Sequence, residues 1–576
     1  MNVKTLKALL LTGFFLVTQN GVSGQNDSEP TRYDVIISEI MAKPTPEIGL
    51  PPVEYVELHN RLPHPVTLKN WQLKLGNTVK NLPDIAFDSY GYVVIIAQKY
   101  QEDIAPYCDH IVTLSSLSVT DGGQTLTLSN NEGEVIHYVS FKKSWHTESI
   151  KQEGGWALEM IDLGWPCAGS WNWDSSTDPL GGTPGKPNSI RNTLYDNTLP
   201  TISGVTTIDP STLRVHLSKT VVVSITESIS VFQTSPLLNI LRIKEVAPEF
   251  SSVDILFSEP IKSDTQYRLK LKGTIVDCGG NSYDVDEETL FGNSHPPTKN
   301  DLVINEILTN PSDGSNADYV EIYNRSGRII DLKDVKVGYG GDTLPQKSVN
   351  ACSKGFQLRP NEYAVLCKQR LLTIQQYICK NEKVLIECDS LPDFAISRGV
   401  IHLTDRSLRS IDRLEYSEEM HYPKLLTTKG VSLERLYADR PTQEVSNWRS
   451  AAESAGYGTP GYRNSQAGCS ETDAEFAVIP EVFSPDNDGI EDYAEVICQF
   501  SEEENRVSIM VFNNRGHLVK QLVNNVLCGS TANFLWDGID DRGHSAPAGI
   551  YVVQIESWNL RTGKTSRKRK AVSIYR

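Results

Sequence analysis

The sequence repeats one long pattern. Residues 35–41 (Val-Ile-Ile-Ser-Glu-Ile-Met) return at 302–308 as Leu-Val-Ile-Asn-Glu-Ile-Leu, and residues 54–60 return at 318–324. Three later anchors, Leu-Glu, Asn-Trp and Gly-Thr-Pro-Gly, also recur. The offsets between matched residues are 267, 264, 275, 275 and 276, so the anchors keep their order and nearly their spacing. The chain therefore carries two copies of one domain.

Polarity along the chain alternates with a period of two. The apolar segments are short, rich in Val, Ile, Tyr and Thr, and broken by Gly, Pro, Asn and Asp. Val56 and Leu58 fall on one face of such a segment and Glu57 on the other, as in a β-strand. Helical periodicity is almost absent, so the pattern predicts an all-β protein of sandwiches or barrels.

The length of 576 residues is too great for one hydrophobic core and indicates several domains. The two copies are predicted at 31–189 and 300–465, and each ends near a Gly-Thr-Pro-Gly turn. Two further units are predicted at 197–296 and 476–576. Residues 1–24, with two lysines before a short apolar run, have the composition of a signal peptide.

Removing the two lysines of that signal changes the formal net charge from -17 to -19. An acidic chain repels phosphate backbones, which argues against nucleic-acid binding. A basic run near the C-terminus is predicted to be a solvated strand edge that blocks edge-to-edge pairing. It consists of Arg561, Lys564, Arg567, Lys568, Arg569 and Lys570.

The opening strands of each copy resemble the lamin-tail domain. The first copy has Glu-Tyr-Val-Glu-Leu-x-Asn at 54–60 and Leu-x-Asn-Trp at 68–71. The second copy departs from this pattern because Val335 stands where the first has Trp71. The resemblance implies tandem immunoglobulin-like β-sandwiches. It fixes fold better than function, since members bind different partners or act as scaffolds.

The unit between the copies resembles the immunoglobulin-like repeats of bacterial surface proteins. A strand opened by Tyr267 leads into Ile-x-Asp-x-x-Gly-Asn at 275–281. This resemblance implies a further β-sandwich.

The last unit resembles the gliding-motility-associated C-terminal domain of Bacteroidetes proteins. It has Asp-Asn-Asp-Gly at 486–489, where that family usually has Asn-Gly-Asp-Gly, then Trp-Asp-Gly at 536–538 and Ala-Gly-Ile-Tyr at 548–551. Members are cargo of the type IX secretion system, which reads the domain as an address for surface display. The flagellar hook-cap type of domain shares the last two motifs and stays an alternative.

One acidic loop has the spacing of a calcium site. Asp486, Asp488, Asp492 and Glu495 fall at positions 3, 5, 9 and 12 of a calcium-loop template. Their carboxylates repel one another unless water or a cation neutralises them. Ser484 at position 1 weakens the match, and a solvated acidic turn is the alternative.

Three acids of the opening strands recur in the second copy. They are Glu39, Glu54 and Glu57, mirrored by Glu306, Asp318 and Glu321. Paired carboxylates could act as acid and base or contact a ligand. Acids at alternating strand positions more simply form the solvent face, so we predict a structural role.

Other polar and aromatic residues give weaker signals. His59, His64, His110, His137 and His146 have no accompanying nucleophile motif, so no catalytic residues are predicted. A cluster of four tryptophans in the first copy is predicted to pack in a core or interface, with sugar stacking as the alternative. They are Trp156, Trp165, Trp171 and Trp173.

All ten cysteines follow the signal, and export makes disulfides plausible. Sequence leaves their connectivity open, and we expect pairs within domains. The expected pairs are Cys108 with Cys167, two bonds among Cys352, Cys367, Cys379 and Cys388, and Cys498 with Cys528, leaving Cys278 and Cys469 over.

Together these features predict a non-enzymatic protein, secreted or displayed on the outer-membrane surface, that serves in adhesion, as a scaffold or in ligand binding. The expected partners are an extracellular glycan or protein and, through the C-terminal domain, the secretion machinery. No cofactor other than calcium is expected. The alternative is an exported hydrolase, or a polysaccharide- or nucleic-acid-binding protein associated with one.

Overall fold

A computed structural model describes residues 29–222, 228–263, 265–312, 317–388, 390–423, 425–468, 476–486 and 491–575. The chain divides into two compact units, Met1–Asp196 and Asn197–Arg576. The predicted signal peptide lies outside the described residues. None of the helices in the described part of the chain is long and apolar enough to cross a membrane.

The first unit holds the first copy, here called the first module. Its strands are β1 Val35–Met41, β2 Tyr55–Asn60, β3 Val66–Thr67, β4 Gln72–Leu75, β5 Thr78–Asn81, β6 Ala86–Phe87, β7 Tyr92–Ala97, β8 Ile111–Leu114, β9 Gly123–Ser129, β10 Val135–Lys142, β11 Leu158–Met160 and β12 Trp173–Ser175. Its helices are α1 Gln101–Ile104 and the 3₁₀ turns Gln98–Tyr100, Lys143–Trp145, Lys151–Glu153 and Gly169–Asn172.

Two sheets form this module, as the alternating pattern predicts. One has six strands in the order β12-β11-β1-β2-β7-β8, and the other has four in the order β10-β9-β4-β5. A short pair, β3-β6, accompanies them. The pairings are antiparallel except that β7 and β8 are parallel.

The second unit opens with the central immunoglobulin-like region. Its strands are β13 Ile202–Asp209, β14 Thr212–Leu217, β15 Val221–Val222, β16 Phe232–Ser235, β17 Ile240–Glu245, β18 Ser252–Phe257, β19 Tyr267–Asp277 and β20 Ser282–Phe291, with a 3₁₀ turn at Ser228–Val231. One sheet has the order β13-β14-β18-β17, and the other has β15-β19-β16 with β20 paired to β19. Asp277, from the Ile-x-Asp motif, is buried and accepts hydrogen bonds from the Gly279 and Asn281 amides, which closes the turn between β19 and β20.

The second module repeats the topology of the first. Its strands are β21 Leu302–Leu308, β22 Tyr319–Asn324, β23 Ile330–Asp331, β24 Val335–Tyr339, β25 Lys347–Asn350, β26 Gln357–Leu358, β27 Tyr363–Cys367, β28 Leu385–Glu387, β29 Arg398–Asp405, β30 Ser410–Ser417, β31 Leu433–Arg435 and β32 Trp448–Ser450. The sheets are β28-β27-β22-β21-β31-β32, β25-β24-β29-β30 and β23-β26. Helix α2 is Arg370–Gln376, and the 3₁₀ turns are Leu332–Asp334, Glu382–Val384, Glu418–Met420, Val445–Asn447 and Glu453–Ala455.

The C-terminal domain is a further two-sheet structure. Its strands are β33 Phe476–Ile479, β34 Val482–Phe483, β35 Ala494–Gln499, β36 Asn505–Asn513, β37 Leu518–Cys528, β38 Thr531–Trp536, β39 Gly549–Asn559 and β40 Thr565–Ile574. The sheets are β33-β35-β38 and β34-β40-β39-β36-β37. Trp536 of the Trp-Asp-Gly motif is fully buried in the core between them. The predicted all-β fold of tandem β-sandwiches is confirmed.

The six-stranded sheet of each module is covered on both faces. In the second module, Val320 and Ile322 pack into the core with residues of β24 and β29. Tyr319, on the opposite face of the same strand, packs against Tyr377 just after α2. Every residue of β2 is likewise buried. The sheet therefore has no solvent face at its centre.

A β-bulge interrupts the first strand of each module. The register between β1 and β2 shifts between Ile37 and Glu39, and the register between β21 and β22 shifts between Ile304 and Glu306. A bulge re-aims the neighbouring side chains and frees a backbone amide from the ladder.

The expected disulfides are wrong. Cys108, Cys352, Cys367, Cys379, Cys388, Cys498 and Cys528 are free, whereas Cys167 and Cys278 are each disulfide-bonded. Cys469 lies outside the described residues. The expectation failed because sequence proximity does not bring two Cβ atoms within bonding distance.

Candidate functional site: a duplicated buried carboxyl cluster

Three adjacent strands place three glutamates side by side in each module. In the first module, Glu39 on β1 lies opposite Glu57 of β2 and Glu159 of β11. All three side chains are fully buried. The arrangement is a row of carboxyl groups across the sheet, on the face that also carries Tyr55.

The second module contains the same row. Glu306 on β21 lies opposite Glu321 of β22 and Glu434 of β31, and all three are fully buried. The prediction that these acids form the solvent face is therefore wrong for Glu39, Glu57, Glu306 and Glu321. It failed because a second layer of chain covers the face.

The two remaining duplicated acids lie outside the rows. Glu54 is half-buried and accepts a hydrogen bond from the Val119 amide at 3.0 Å. Asp318 is buried and pairs with Lys368 at 2.8 Å. Both hold neighbouring chain segments in place, as the predicted structural role requires.

The covering layer in the first module is residues 182–190, which begin with Gly-Thr-Pro-Gly and are here called the closing segment. Its Thr183 amide donates to Glu39 Oε1 at 2.8 Å, and its Gly185 amide donates to Glu57 Oε2 at 2.7 Å. Ser189 Oγ donates to Glu159 Oε2 at 2.9 Å. Each acid of the row therefore binds the closing segment.

The closing segment of the second module, residues 458–466, makes the same contacts. Thr459 and Gly461 donate their amides to Glu306 Oε1 at 2.9 Å and to Glu321 Oε2 at 2.7 Å. Ser465 Oγ donates to Glu434 Oε2 at 2.8 Å. Duplication has preserved the acids together with their donors.

A single threonine hydroxyl stands between two acids in each row. Thr183 Oγ1 lies 3.0 Å from Glu39 Oε2 and 3.1 Å from Glu159 Oε1. A hydroxyl has one proton to donate, so it can satisfy one carboxylate and must accept a hydrogen bond from the other. One acid of the pair must therefore carry a proton. Thr459 stands in the same relation, at 2.9 Å from Glu306 and 2.8 Å from Glu434.

The pKa shifts of these carboxyl groups agree with one protonated acid in each pair. Burial, followed by the charge of Glu159, raises the pKa of Glu39 to about 8. Burial, followed by the charge of Glu306, raises the pKa of Glu434 to about 8. Burial also raises the pKa of Glu57 and of Glu321 well above the usual range. Like charges close together in a buried site favour protonation, so each row holds protons at neutral pH.

Such a cluster fastens chain segments and does not present a reactive group to solvent. Its oxygens bind hydroxyl and amide donors, including Tyr55 Oη at 2.5 Å from Glu39 and Tyr319 Oη at 2.5 Å from Glu306. In the described part of the chain, no group of three or more His, Cys, Asp or Glu is arranged to hold a metal ion.

The residues predicted to bind calcium are described only in part. Asp486 is exposed, Asp492 is half-buried, and Glu495 on β35 accepts a hydrogen bond from Asn533 at 2.7 Å. Asp488 lies outside the described residues. Calcium binding therefore stays a prediction.

The histidines of the first module take separate structural positions. His59 stacks on Tyr92 at 4.4 Å, and His146 Nδ1 lies 2.8 Å from the hydroxyl of buried Ser175. Nδ1 of His137 accepts a hydrogen bond from the Ile37 amide at the bulge, at 3.0 Å. Burial lowers the pKa of all three imidazoles to about 4, so they are neutral near pH 7.

The four clustered tryptophans of the first module pack as predicted, with one partial exception. Trp165 and Trp173 are buried, and Trp156 lies under the Lys151 ammonium at 4.7 Å. Trp171 meets Trp165 edge to face at 5.0 Å yet remains 44% exposed. Trp171 thus presents an aromatic surface to solvent.

The sequence prediction missed Glu159 and Glu434, and the threonines that bridge them to the first strand. A signal was present, because Leu-Glu and Gly-Thr-Pro-Gly are two of the anchors that keep an offset of 275 or 276. A turn requires neither a glutamate nor a threonine, so keeping both residues in the two copies indicates a further role. Reading them together with Glu39 would have suggested a shared contact.

Comparison with known families identifies two parts of the chain. Residues 28–143 match the Lamin Tail Domain, and residues 477–574 match the CHU_C type IX secretion signal domain. The chain is therefore marked for export and surface display by its C-terminal domain, which points to the type IX secretion machinery. The second module lies outside the first match, so its place in the lamin-tail family stays a prediction.

Solved structures offer only distant likenesses. A DUF4876 family protein from Bacteroides thetaiotaomicron is 13% identical over 38% of this chain and 91% of that chain, with a TM-score of 0.19. The N-terminal part of the bacterial S-layer protein SbsC is 13% identical over 29% of this chain and 40% of that chain, with a TM-score of 0.15. PorZ, a surface component of the type IX secretion system of Porphyromonas gingivalis, is 10% identical over 79% of this chain and 56% of that chain, with a TM-score of 0.15. These likenesses carry no argument about function. No curated protein matches the chain.

Proposed function

We propose that this chain is a non-enzymatic surface protein whose two modules bind an extracellular ligand or act as spacers. The observation that carries the proposal is the burial of the duplicated carboxyl rows. Acids that an enzyme would turn toward its substrate are instead sealed beneath the closing segments and hydrogen-bonded to them. Duplication has kept a set of hydrogen bonds that stabilise the fold.

Trp171 favours a glycan as the ligand of the first module. Its indole is 44% exposed and is braced by Trp165 beside it. Flat aromatic faces suit sugar rings, and a braced ring loses little freedom on binding. A protein ligand is the alternative occupant of the same surface.

Glycan-array binding of the purified full chain tests the ligand. Trp171→Ala should weaken binding about tenfold, the loss expected when a stacked aromatic contact is removed. Tyr90→Ala is the matched control, because Tyr90 is an exposed aromatic residue of the same module at 59% exposure. Equal loss in both variants, or no glycan bound by the parent chain, would contradict the glycan assignment.

A hydrolase screen with added divalent metals tests the non-enzymatic assignment. We expect no turnover by the parent chain. An activity that Glu57→Gln abolishes, in a variant whose unfolding is unchanged, would show that the carboxyl row reacts with substrate.

Deletion of 476–576 in the host tests the partner of the C-terminal domain. Loss of the protein from the surface fraction, with accumulation inside the cell, is the expected result. Unchanged display would contradict the assignment to the type IX machinery.

A further inference from the structure

The C-terminal domain lies directly against the end of the second module. The Ser530 amide donates to Ser465 O at 3.1 Å, and Ser530 Oγ donates to Ala467 O at 2.7 Å. The Glu504 amide donates to Gln466 Oε1 at 3.3 Å. These bonds join two turns of the C-terminal domain to the closing segment of the second module and the residue after it.

Charged groups surround these bonds. Arg449 of β32 pairs with Glu504 at 3.0 Å, and the two side chains are only 17% and 15% exposed. Glu453 lies 3.7 Å from Arg506 and accepts a hydrogen bond from the Leu527 amide at 3.4 Å. A shielded pair such as Arg449 with Glu504 is sensitive to the loss of one partner.

The fit at the centre of the contact is close. A Cβ on Gly529 would lie 1.7 Å from Ser465 O and 3.1 Å from Gln466 N. Both atoms belong to the second module. Glycine at 529 is therefore required by the contact between the two domains.

The carboxyl row of the second module holds two of the contact residues in place. Glu434 accepts hydrogen bonds from Ser465 Oγ and from the Gln466 amide, each at 2.8 Å. The residues that receive the C-terminal domain are thus fixed by the buried row of the second module.

The first module lacks two of the side chains that make this contact. At the positions of Arg449 and Gln466 it has Asp174 and Ile190. An aspartate at the position of Arg449 would repel Glu504. An isoleucine at the position of Gln466 has no side-chain oxygen to accept a hydrogen bond from the Glu504 amide. The side-chain contacts of Arg449 and Gln466 are therefore encoded in the second copy alone.

We propose that the second module is a dedicated seat for the C-terminal secretion domain, which the chain carries docked on Arg449, Ser465 and Gln466. The docked domain covers these residues, and a partner that needs the covered surface must first displace it. Cutting the chain between the two domains would not by itself remove the contacts that hold them together.

Hydrogen exchange of the full chain, followed by mass spectrometry, tests the seat. Gly529→Ala should speed exchange at the Glu504 and Ser530 amides by about tenfold or more, because the clash removes their acceptors. Arg449→Asp installs the first module's residue and should act in the same direction by repelling Glu504.

The controls separate undocking from unfolding. Gly327→Ala changes a glycine of the second module that has no atom within 4 Å of its would-be Cβ, and it should leave both amides unaffected. Peptides from β39 should stay protected in every variant. If Gly529→Ala and Arg449→Asp both leave exchange at the two amides unchanged, the seat does not exist in solution and the proposal is wrong.

Discussion

One ion pair of the second module offers a sharp test of how these modules are stabilised. Asp412 and Arg435 occupy the positions that His137 and Met160 hold in the first module, at an offset of 275. Asp412 accepts a hydrogen bond from the Ile304 amide at the bulge, as His137 does from the corresponding amide. The two modules thus accept a hydrogen bond from the same backbone amide with different side chains, a histidine in the first and a charged aspartate in the second.

The structure sets the size of the effect. The Arg435 and Asp412 side chains are 0% and 5% exposed and lie 3.4 Å apart. Arg435→Met leaves a buried carboxylate without its counter-charge, and breaking such a pair costs about 3–5 kcal/mol. Asp412 keeps its bond from Thr442 at 2.6 Å, so the lower end of that range is expected.

The double variant Asp412→His with Arg435→Met should recover most of that loss. It restores the first module's residues, in which His137 accepts the hydrogen bond of the bulge amide and Met160 stands at the position of Arg435. The free energy of unfolding should return to within about 1 kcal/mol of the parent, as for a well-packed neutral replacement of a buried pair.

Urea unfolding of the full chain, followed by hydrogen exchange of peptides from each module, measures both effects. The first module is unchanged and serves as an internal reference. The penalty of Arg435→Met should shrink as pH falls, because burial already raises the pKa of Asp412 and a protonated carboxyl needs no partner. A double variant as unstable as Arg435→Met would refute the reasoning.

Three further predictions concern other parts of the chain. The raised pKa values of Glu39 and Glu434, near 8, mean that the folded chain binds more protons than the unfolded chain up to that pH, so the free energy of unfolding should fall between pH 6.5 and 8. The buried histidines, with pKa values near 4, act in the opposite direction as long as the histidines of the unfolded chain still bind protons, up to about pH 7.5, so a rise above that pH would count against the protonated rows. One edge of β40 pairs with β39 along the strand, and among the described residues the other edge pairs with β34 only at Ser573 and Ile574. Lys568 and Lys570 lie on the part of β40 whose second edge has no partner strand there. Replacing both with valine should promote self-association in sedimentation experiments, and an unchanged sedimentation coefficient would contradict their role in blocking edge pairing. Calorimetry of the full chain should show heat at millimolar calcium that Asp492→Asn reduces, whereas no heat would remove the calcium prediction.

Alternation and duplication together predicted most of the fold. A two-residue polarity period assigns side chains to opposite faces of a strand, and repeated anchors show that two modules share one topology. The predicted boundaries at 31–189, 197–296, 300–465 and 476–576 follow from turn-rich stretches and stay predictions.

The carboxyl rows could not be predicted in the same way. A period of two shows that Glu57 and Val56 face opposite sides, but it does not show whether the side of Glu57 meets water. That depends on where residues 182–190 return, more than 100 positions later in the chain. The predicted cysteine pairs were wrong for a related reason, because a disulfide requires spatial proximity that spacing in the sequence does not give.

The sequence alone determined the β-strands, the doubled module and the secretion address, because these depend on local polarity and on motifs of adjacent residues. Only the tertiary structure decided that the acids of the two carboxyl rows are buried and hydrogen-bonded, because distant segments bring the covering chain and the donor groups to them. Packing also decided that the second module, through Arg449 and Gln466, receives the C-terminal domain.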